Sequence, residues 1–450
     1  MKKTFIYSIF ILFFLNTVSY SQKEDYNWIF SENIHIDFNQ NPPMVSTIPH
    51  TLMPHDCTSM SDKDGNLLFY TDISNIYNFN HQLISKILKQ SKHSKTVRVI
   101  PHPTRKYCFF YISRIQKVNY KKTQVLYLID MNANGGKGSF SRISLINPKE
   151  KYLTNKFLVT RKFNSKDYWL LRFNKNKIIR NTIDSSGFKN DTYIDDFINI
   201  HHIKISPDMS KLFILDSSRT KFYIADYDCK TARINHIQQF GEENDPNGKA
   251  MLFEFSKNGN YLFHITKKYN KEKCAVVVYD MSQIDGSLNN GDTLSVINPT
   301  GKKENPYDAS LAPNGNIYIT FPGAEYLLAV EEDAGYPEKY VLNKKALYLN
   351  GNKASSSLPH YFNYHLSFKC DIIDCNTVSF YSYQENTLQS QHWDFGDGDT
   401  SDLLDPTHTY TAPGKYTVTL TGKYSDGTSR TLSKTITISP KPQVPKIVFD

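Results

Sequence analysis

One unit keeps returning along this chain: a small polar turn followed at once by a short, aromatic-rich strand. Ser256-Lys257-Asn258-Gly259-Asn260 precedes Tyr261-Leu262-Phe263, and Ser61-Asp62-Lys63-Asp64-Gly65-Asn66 precedes Leu67-Leu68-Phe69-Tyr70. Ser206-Pro207-Asp208-Met209-Ser210-Lys211 precedes Leu212-Phe213-Ile214-Leu215, and Ala312-Pro313-Asn314-Gly315-Asn316 precedes Ile317-Tyr318-Ile319. Looser copies lie before Tyr107-Cys108-Phe109-Phe110 and Tyr168-Trp169-Leu170-Leu171. Asn-Gly tolerates positive φ at both central residues, which predicts tight type I′ hairpins. The copies recur every 40 to 60 residues or so, roughly the interval of propeller blades.

Each unit belongs to a set of four short strands. The cleanest set runs His202 to Ile205, Leu212 to Leu215, Lys221 to Asp226 and Ala232 to Phe240, with turn residues between. Four such strands make one antiparallel blade. Turn units near residues 57, 97, 157, 201, 251 and 308 predict six blades. Two N-terminal strands (Tyr26 to Phe30, Ile34 to Phe38) and the run Leu358 to Tyr364 are left over. An unclosed ring would leave strand edges open to aggregation, so a seventh blade built from both ends is expected. A 14% aromatic content, with 30 Tyr and 28 Phe, suits strands, and no long helical apolar spacing follows the first twenty residues.

Those first residues read as a signal peptide: Lys2 and Lys3, an apolar core from Phe5 to Leu15, then Ser19-Tyr20-Ser21. Cleavage is expected between Ser21 and Gln22, giving an exported protein, secreted or on the outer cell surface. No later segment reads as transmembrane. Of six cysteines, Cys370 and Cys375 are near enough in sequence to predict a small disulfide loop. Cys57, Cys108, Cys229 and Cys274 sit on or beside different strands, as buried thiols or as pairs. The net charge of +9 is uneven: residues 22–366 hold about +10 and the remainder is slightly acidic. A solvated lysine-rich surface accounts for this; attraction to an acidic polysaccharide or anionic cell surface is the sharper alternative. No basic cluster interleaves with stacking aromatics, so nucleic acid is not an expected partner.

Near Ser367 the pattern changes to short alternating strands over about seventy residues, a small β-sandwich. The chain is thus divided into a signal at 1–21, a propeller at 22–366, a sandwich at 367–440 and a proline-rich tail at 441–450. Trp393-Asp394-Phe395-Gly396-Asp397-Gly398, Pro406-Thr407-His408-Thr409-Tyr410 and Gly414-Lys415-Tyr416-Thr417-Val418-Thr419-Leu420 stand in the order and spacing of a PKD (polycystic kidney disease) domain. The resemblance implies an immunoglobulin-like module used as a spacer or interaction domain on cell surfaces.

The earlier part is similar to the propeller region before PKD domains in surface proteins of gliding, type IX-secreting bacteria. Asn27-Trp28-Ile29-Phe30, Cys57-Thr58-Ser59-Met60-Ser61-Asp62, Ile100-Pro101-His102-Pro103 and Ser357-Leu358-Pro359-His360-Tyr361-Phe362 carry it. That group has a C-terminal sorting domain after the PKD module, and this chain stops at Asp450 before one, as a truncated product would.

Catalytic chemistry is hard to find. There is no GxSxG elbow, no HExxH and no phosphate-cradling loop, so neither catalytic residue, metal nor cofactor is expected. In His201-His202, strand alternation sends one ring to the channel and one into the blade, against a shared metal. His50, His55 and Asp56 read as a solvated loop that could line the ring's mouth. Asp62-Lys63-Asp64-Gly65-Asn66 imitates a calcium loop but has Leu67 where that pattern needs a glycine after its third ligand. Asp394, Asp397 and Asp399 read as turn residues before they read as calcium ligands. The expectation is a non-enzymatic binding or adhesion protein for polysaccharide or a cell-surface protein. The alternatives are a glycan-active hydrolase or lyase with acids in the funnel, or a structural subunit of an envelope assembly.

Overall fold

A computed structural model describes residues 23–440 except 51–56, 73, 88–96, 119–120, 147–156, 164, 190–192, 243–248, 269–272, 282–291, 298–305, 333–338, 356–357, 362–365, 384–387 and 425–428. The signal region, with Ser21 and Gln22, and the 441–450 tail lie outside the described residues, as do His55 and Asp56. No α-helix occurs among the described residues, and no helix there is long and apolar enough to cross a membrane.

Seven antiparallel sheets precede the sandwich. The first has three strands, Asn27–Phe30, Ile34–Asp37 and Met44–Thr47. Six more follow, opening with Thr58–Ser61, Val97–Pro101, Phe157–Arg161, Ile200–Ile205, Lys249–Phe255 and Asp308–Leu311, each pairing onward in chain order. In the fourth, Gly187–Phe188 and Tyr193–Asp196 both pair with the third strand, Lys177–Asp184. Each opening strand is innermost, and several touch the opening strand of the next sheet.

Apolar side chains pack between successive sheets. Phe69 and Ile76 meet Phe109 and Tyr111; Phe110 and Leu126 meet Tyr168 and Leu170; Leu171 and Phe173 meet Leu212 and Ile214. Phe213 and Leu215 meet Phe253 and Leu262, and Phe263 and Ile265 meet Ile319 and Leu328. The last sheet then packs on the first, where Trp28 and Phe38 lie against Tyr318, with ring centroids 6.0 Å from it in both cases. This is a closed seven-bladed propeller.

Closure differs from the expected shared blade. The first blade takes all three of its strands from the N-terminal side, including Met44–Thr47, which the sequence reading left out. Among the described residues the returning segment adds no strand to it. Instead Leu349, Ala354 and Leu358 enter its core. Asn350 Nδ2 donates to the Val45 carbonyl at 2.7 Å, and Ser355 N to Ser31 Oγ at 3.0 Å. Tyr361 Oη donates to the Asn27 carbonyl at 2.7 Å and lies 2.8 Å from Ser59 Oγ.

The recurring turns share one geometry, and it is not type I′. Gly259 N donates to the Ser256 carbonyl at 2.9 Å, Asn258 Oδ1 accepts from Asn260 N at 3.0 Å, and only Gly259 has positive φ, +78°. Gly65 and Gly315 occupy the same left-handed position. Asn keeps negative φ because its carboxamide closes the loop, as in a type I turn followed by one left-handed residue. In the fifth blade that residue is Met209, at φ +52°.

The C-terminal sandwich pairs Ser367–Ile372, Thr377–Tyr383 and Thr407–Thr409 in one sheet, and Thr400–Ser401, Leu388–Asp394, Gly414–Tyr424 and Ser429–Ile438 in the other. Trp393 fills its centre, edge-on to Phe368 at 5.2 Å. Cys370 and Cys375, expected to bridge, are unbonded, as are the other four cysteines, all buried. Cys370 faces Phe380 within the hairpin, whereas Cys375 lies in the turn beyond Ile372.

Candidate functional site

The innermost strands surround a channel containing a cavity of about 210 Å³. Val99, Phe157, Phe255, Leu311 and Tyr361 supply apolar wall; His202, Lys204, Glu254 and His360 supply polar heads, with Asp25 and Arg98 also lining it. Two of these heads come from one strand for a local reason. A bulge between Ile200 and His202 resets the register, so His202 lies opposite Leu215 and Lys204 opposite Phe213. Residues two apart on a strand share a face. The displaced His201 accepts a hydrogen bond from Arg219 Nε at 2.9 Å instead. The bulge, rather than simple alternation, separates the two histidines.

The charges are matched inside the ring. Lys204 Nζ lies 2.6 Å from Glu254 Oε2, across neighbouring blades. His360 Nε2 lies 2.8 Å from Asp308 Oδ2, which also accepts from Leu358 N at 3.1 Å. Burial pushes the Asp308 carboxyl up, but His360, the Ala309 amide and Lys204 more than offset this and hold it below its usual range. Burial, reinforced by Lys204, drives the His202 imidazole down to about 3, so it is neutral at physiological pH. Its Nε2 is enclosed and has no hydrogen-bond partner among the described residues. Burial lifts the Asp25 carboxyl to about 6 against the pull of its own backbone hydrogen bond, Lys257 and Arg430.

Arg430 belongs to the sandwich, which is docked on the turn side of the propeller. Lys434 Nζ donates to the Phe368 carbonyl at 2.7 Å inside the sandwich and to Asp208 Oδ2 at 2.9 Å in the fifth blade's recurring turn. Burial alone would raise the Asp208 carboxyl; Lys434, Ser206 and Ser210 hold it down at about 2. A cleft of about 510 Å³ lies at this junction, with Lys211 and Asp226 on one side and Lys369 and Asp371 on the other. Each lysine is paired with the carboxylate on its own side.

The other sequence candidates resolve into turns and packing. Asp62 Oδ1 accepts from the Asp64 and Asn66 amides at 2.9 and 2.8 Å. His50 stacks on Tyr77 at 4.5 Å, with its Nε2 2.6 Å from the His81 carbonyl. Asp394 closes its own turn through Gly396 N, while Asp397, Asp399 and His408 cluster closely enough to hold an ion. There His408 Nε2 lies 2.7 Å from Asp397 Oδ2, and its ring stacks on Phe395 at 4.2 Å, so the pair is already explained as a brace for the hairpin. The channel heads Lys204, Glu254, Asp308 and His360 escaped the sequence reading. The available signal was a charge inside an apolar inner strand, as in Leu252-Phe253-Glu254-Phe255.

The PKD domain family matches residues 373–439. The PKD1 domain of Vibrio anguillarum Epp is 32% identical, the match covering 16% of this chain and 90% of that domain, with a TM-score of 0.16. The C-terminal sandwich is a PKD domain. The PKD1 domain of the Vibrio cholerae metalloprotease PrtV is also 32% identical over 17% of this chain and 95% of its own, at a TM-score of 0.16. Alongside the propeller lies the Pseudomonas aeruginosa periplasmic gluconolactonase PpgL. It is 12% identical, covers 74% of this chain and 98% of its own, and has a TM-score of 0.49. No curated protein matches the chain in sequence. The PKD domain is tied to the ring through Lys434 and Asp208.

Proposed function

We propose that this chain is an exported, non-enzymatic binding protein, acting in secreted form or at the outer cell surface. Its propeller engages a polysaccharide or a cell-surface protein, and the PKD domain braces the ring. The observation that carries this reading is the self-neutralised channel. Two of its carboxylates, Glu254 and Asp308, are held by Lys204 and His360. Glycoside hydrolysis needs an acid and a base or nucleophile free to face one bond, roughly 5 to 10 Å apart. Glu254 and Asp308 are instead committed to partners, which suits recognition by fixed polar groups.

One observation favours a second reading. The Asp308–His360 pair is an arrangement by which a carboxylate orients an imidazole as general base, which keeps a hydrolase or lyase in the channel as the alternative. The two are separated by incubating the mature chain, from Gln22, with a panel of glycans and cell-wall fractions while recording both retention and product release. Retention without turnover supports the binding protein. Turnover abolished by His360→Ala would replace that reading with the enzymatic one, and absence of both would leave a protein partner, to be sought by crosslinking on intact cells.

A further inference from the structure

We propose that the channel cavity accepts one uncharged, hydroxyl-rich ring, a single neutral sugar unit at the end of a glycan, with His202 as its central hydrogen-bonding group. This rests on reading the channel as the binding site and adds the class of ligand.

Size comes first. Sites for drug-sized molecules run to roughly 300–1,000 Å³. At about 210 Å³ the cavity has room for one ring rather than a chain. Charge comes second. An anionic sugar would need an uncommitted cation, but Lys204 is held at 2.6 Å by Glu254, and Arg98 is also engaged with another group. Asp25 adds a further carboxyl to the same wall, which opposes an anion further. Hydrogen bonding comes third. An enclosed polar atom without a partner is uncommon and calls for an explanation. His202 Nε2 is such an atom, but it is closed off from the void, so contact with a ligand in the cavity falls to the rest of this ring, Nδ1 included. A neutral imidazole can either donate to or accept from a hydroxyl, according to its tautomer, so it suits a sugar better than a fixed ion does. Lastly, the apolar wall of Phe157, Phe255 and Tyr361 gives the C–H face of a pyranose a surface to lie on.

The test uses the mature full chain, titrated calorimetrically with neutral oligosaccharides (gluco-, manno-, galacto- and N-acetylglucosamine series) and with uronic-acid oligosaccharides, at low and high salt. The expected result is binding of at least one neutral series, changing less than about twofold between salts, since little of it is ionic. His202→Ala should weaken it about tenfold and His202→Gln should recover most of the loss, because Gln keeps both donor and acceptor. Leu311→Trp should block it by filling the cavity, and it guards against a misleading loss of folding in His202→Ala. Preference for uronic acids with steep salt dependence would overturn the inference. So would neutral-sugar binding that survives both His202→Ala and Leu311→Trp; in that case the binding-protein reading stands and only the channel assignment falls. Failure of every series to bind overturns the inference, whereas the binding-protein reading then depends on whether cell-wall fractions or crosslinked proteins are retained.

Discussion

Replacing Asp208 by Asn tests whether the PKD domain is a brace or a free spacer. Asp208 and Lys434 join the two domains at 2.9 Å, with side chains only 18% and 9% exposed. A carboxyl held at about 2 instead of the usual 3.8 contributes about 2.5 kcal/mol in its ionised form. The sides of the pair are unequal. Asp208 also accepts from Ser206 Oγ, Ser210 Oγ and Ser210 N, whereas among the described residues Lys434 has, besides Asp208, only the carbonyl and ring of Phe368. Asp208→Asn leaves a buried ammonium short of its counter-charge and should cost about 2–4 kcal/mol, toward the range for breaking buried pairs. Lys434→Met should cost less, since the carboxylate keeps its hydroxyl and amide donors. The double variant should recover part of the loss, with a coupling of about 1–3 kcal/mol. Calorimetry reads this directly: the wild type should melt in one transition, and each single variant should release the PKD domain into a separate, lower one. Additivity within about 0.5 kcal/mol, or two transitions already in the wild type, would refute the brace. The same tie gives a pH signature. Because the folded-state carboxyl is depressed, its stabilisation is present above about pH 4 and lost as pH falls toward 2.

Three further outcomes follow from individual residues. Asp25 is raised to about 6, so its ionised form destabilises the fold by up to about 3 kcal/mol above that pH. Asp25→Asn should therefore gain on the wild type by about that much in urea melts at pH 8, with the gain vanishing near pH 4; a pH-independent difference would contradict this. Met209→Gly removes a left-handed non-glycine from the fifth blade's turn and should stabilise by about 1 kcal/mol, less the entropy of the added glycine. A loss would show that the Met209 side chain contributes more to the channel wall than its backbone costs. Cys370 and Cys375 should both alkylate without reductant in unfolded protein, checked by mass; a bridged pair would contradict the free thiols of this structure.

The repeat of turn and strand made the architecture legible, because a blade's four strands are contiguous and each turn carries its own signal. Met44–Thr47 was missed because half-exposed residues show no apolar alternation. Of the closing segment, Leu358 to Tyr361 are described, and there Leu358 and Tyr361, which look like strand residues, plug the first blade instead. The turn type was misassigned because Asn-Gly allows two geometries, and only the Asn258 carboxamide bond to Asn260 chooses between them. The channel heads were illegible for a different reason. Lys204, Glu254, Asp308 and His360 lie on three blades and a returning segment, and only ring closure brings them together.

The central claim is that this protein binds through the propeller channel. Hydrogen–deuterium exchange on the mature chain, with and without a retained glycan, tests it most directly. The account predicts added protection on Phe157–Arg161, Ile200–Ile205, Lys249–Phe255 and Asp308–Leu311, the strands around the cavity, with the outer strands unchanged. Protection confined to outer strands or to the PKD sheet Thr400–Ser401, Leu388–Asp394, Gly414–Tyr424 and Ser429–Ile438 would contradict it.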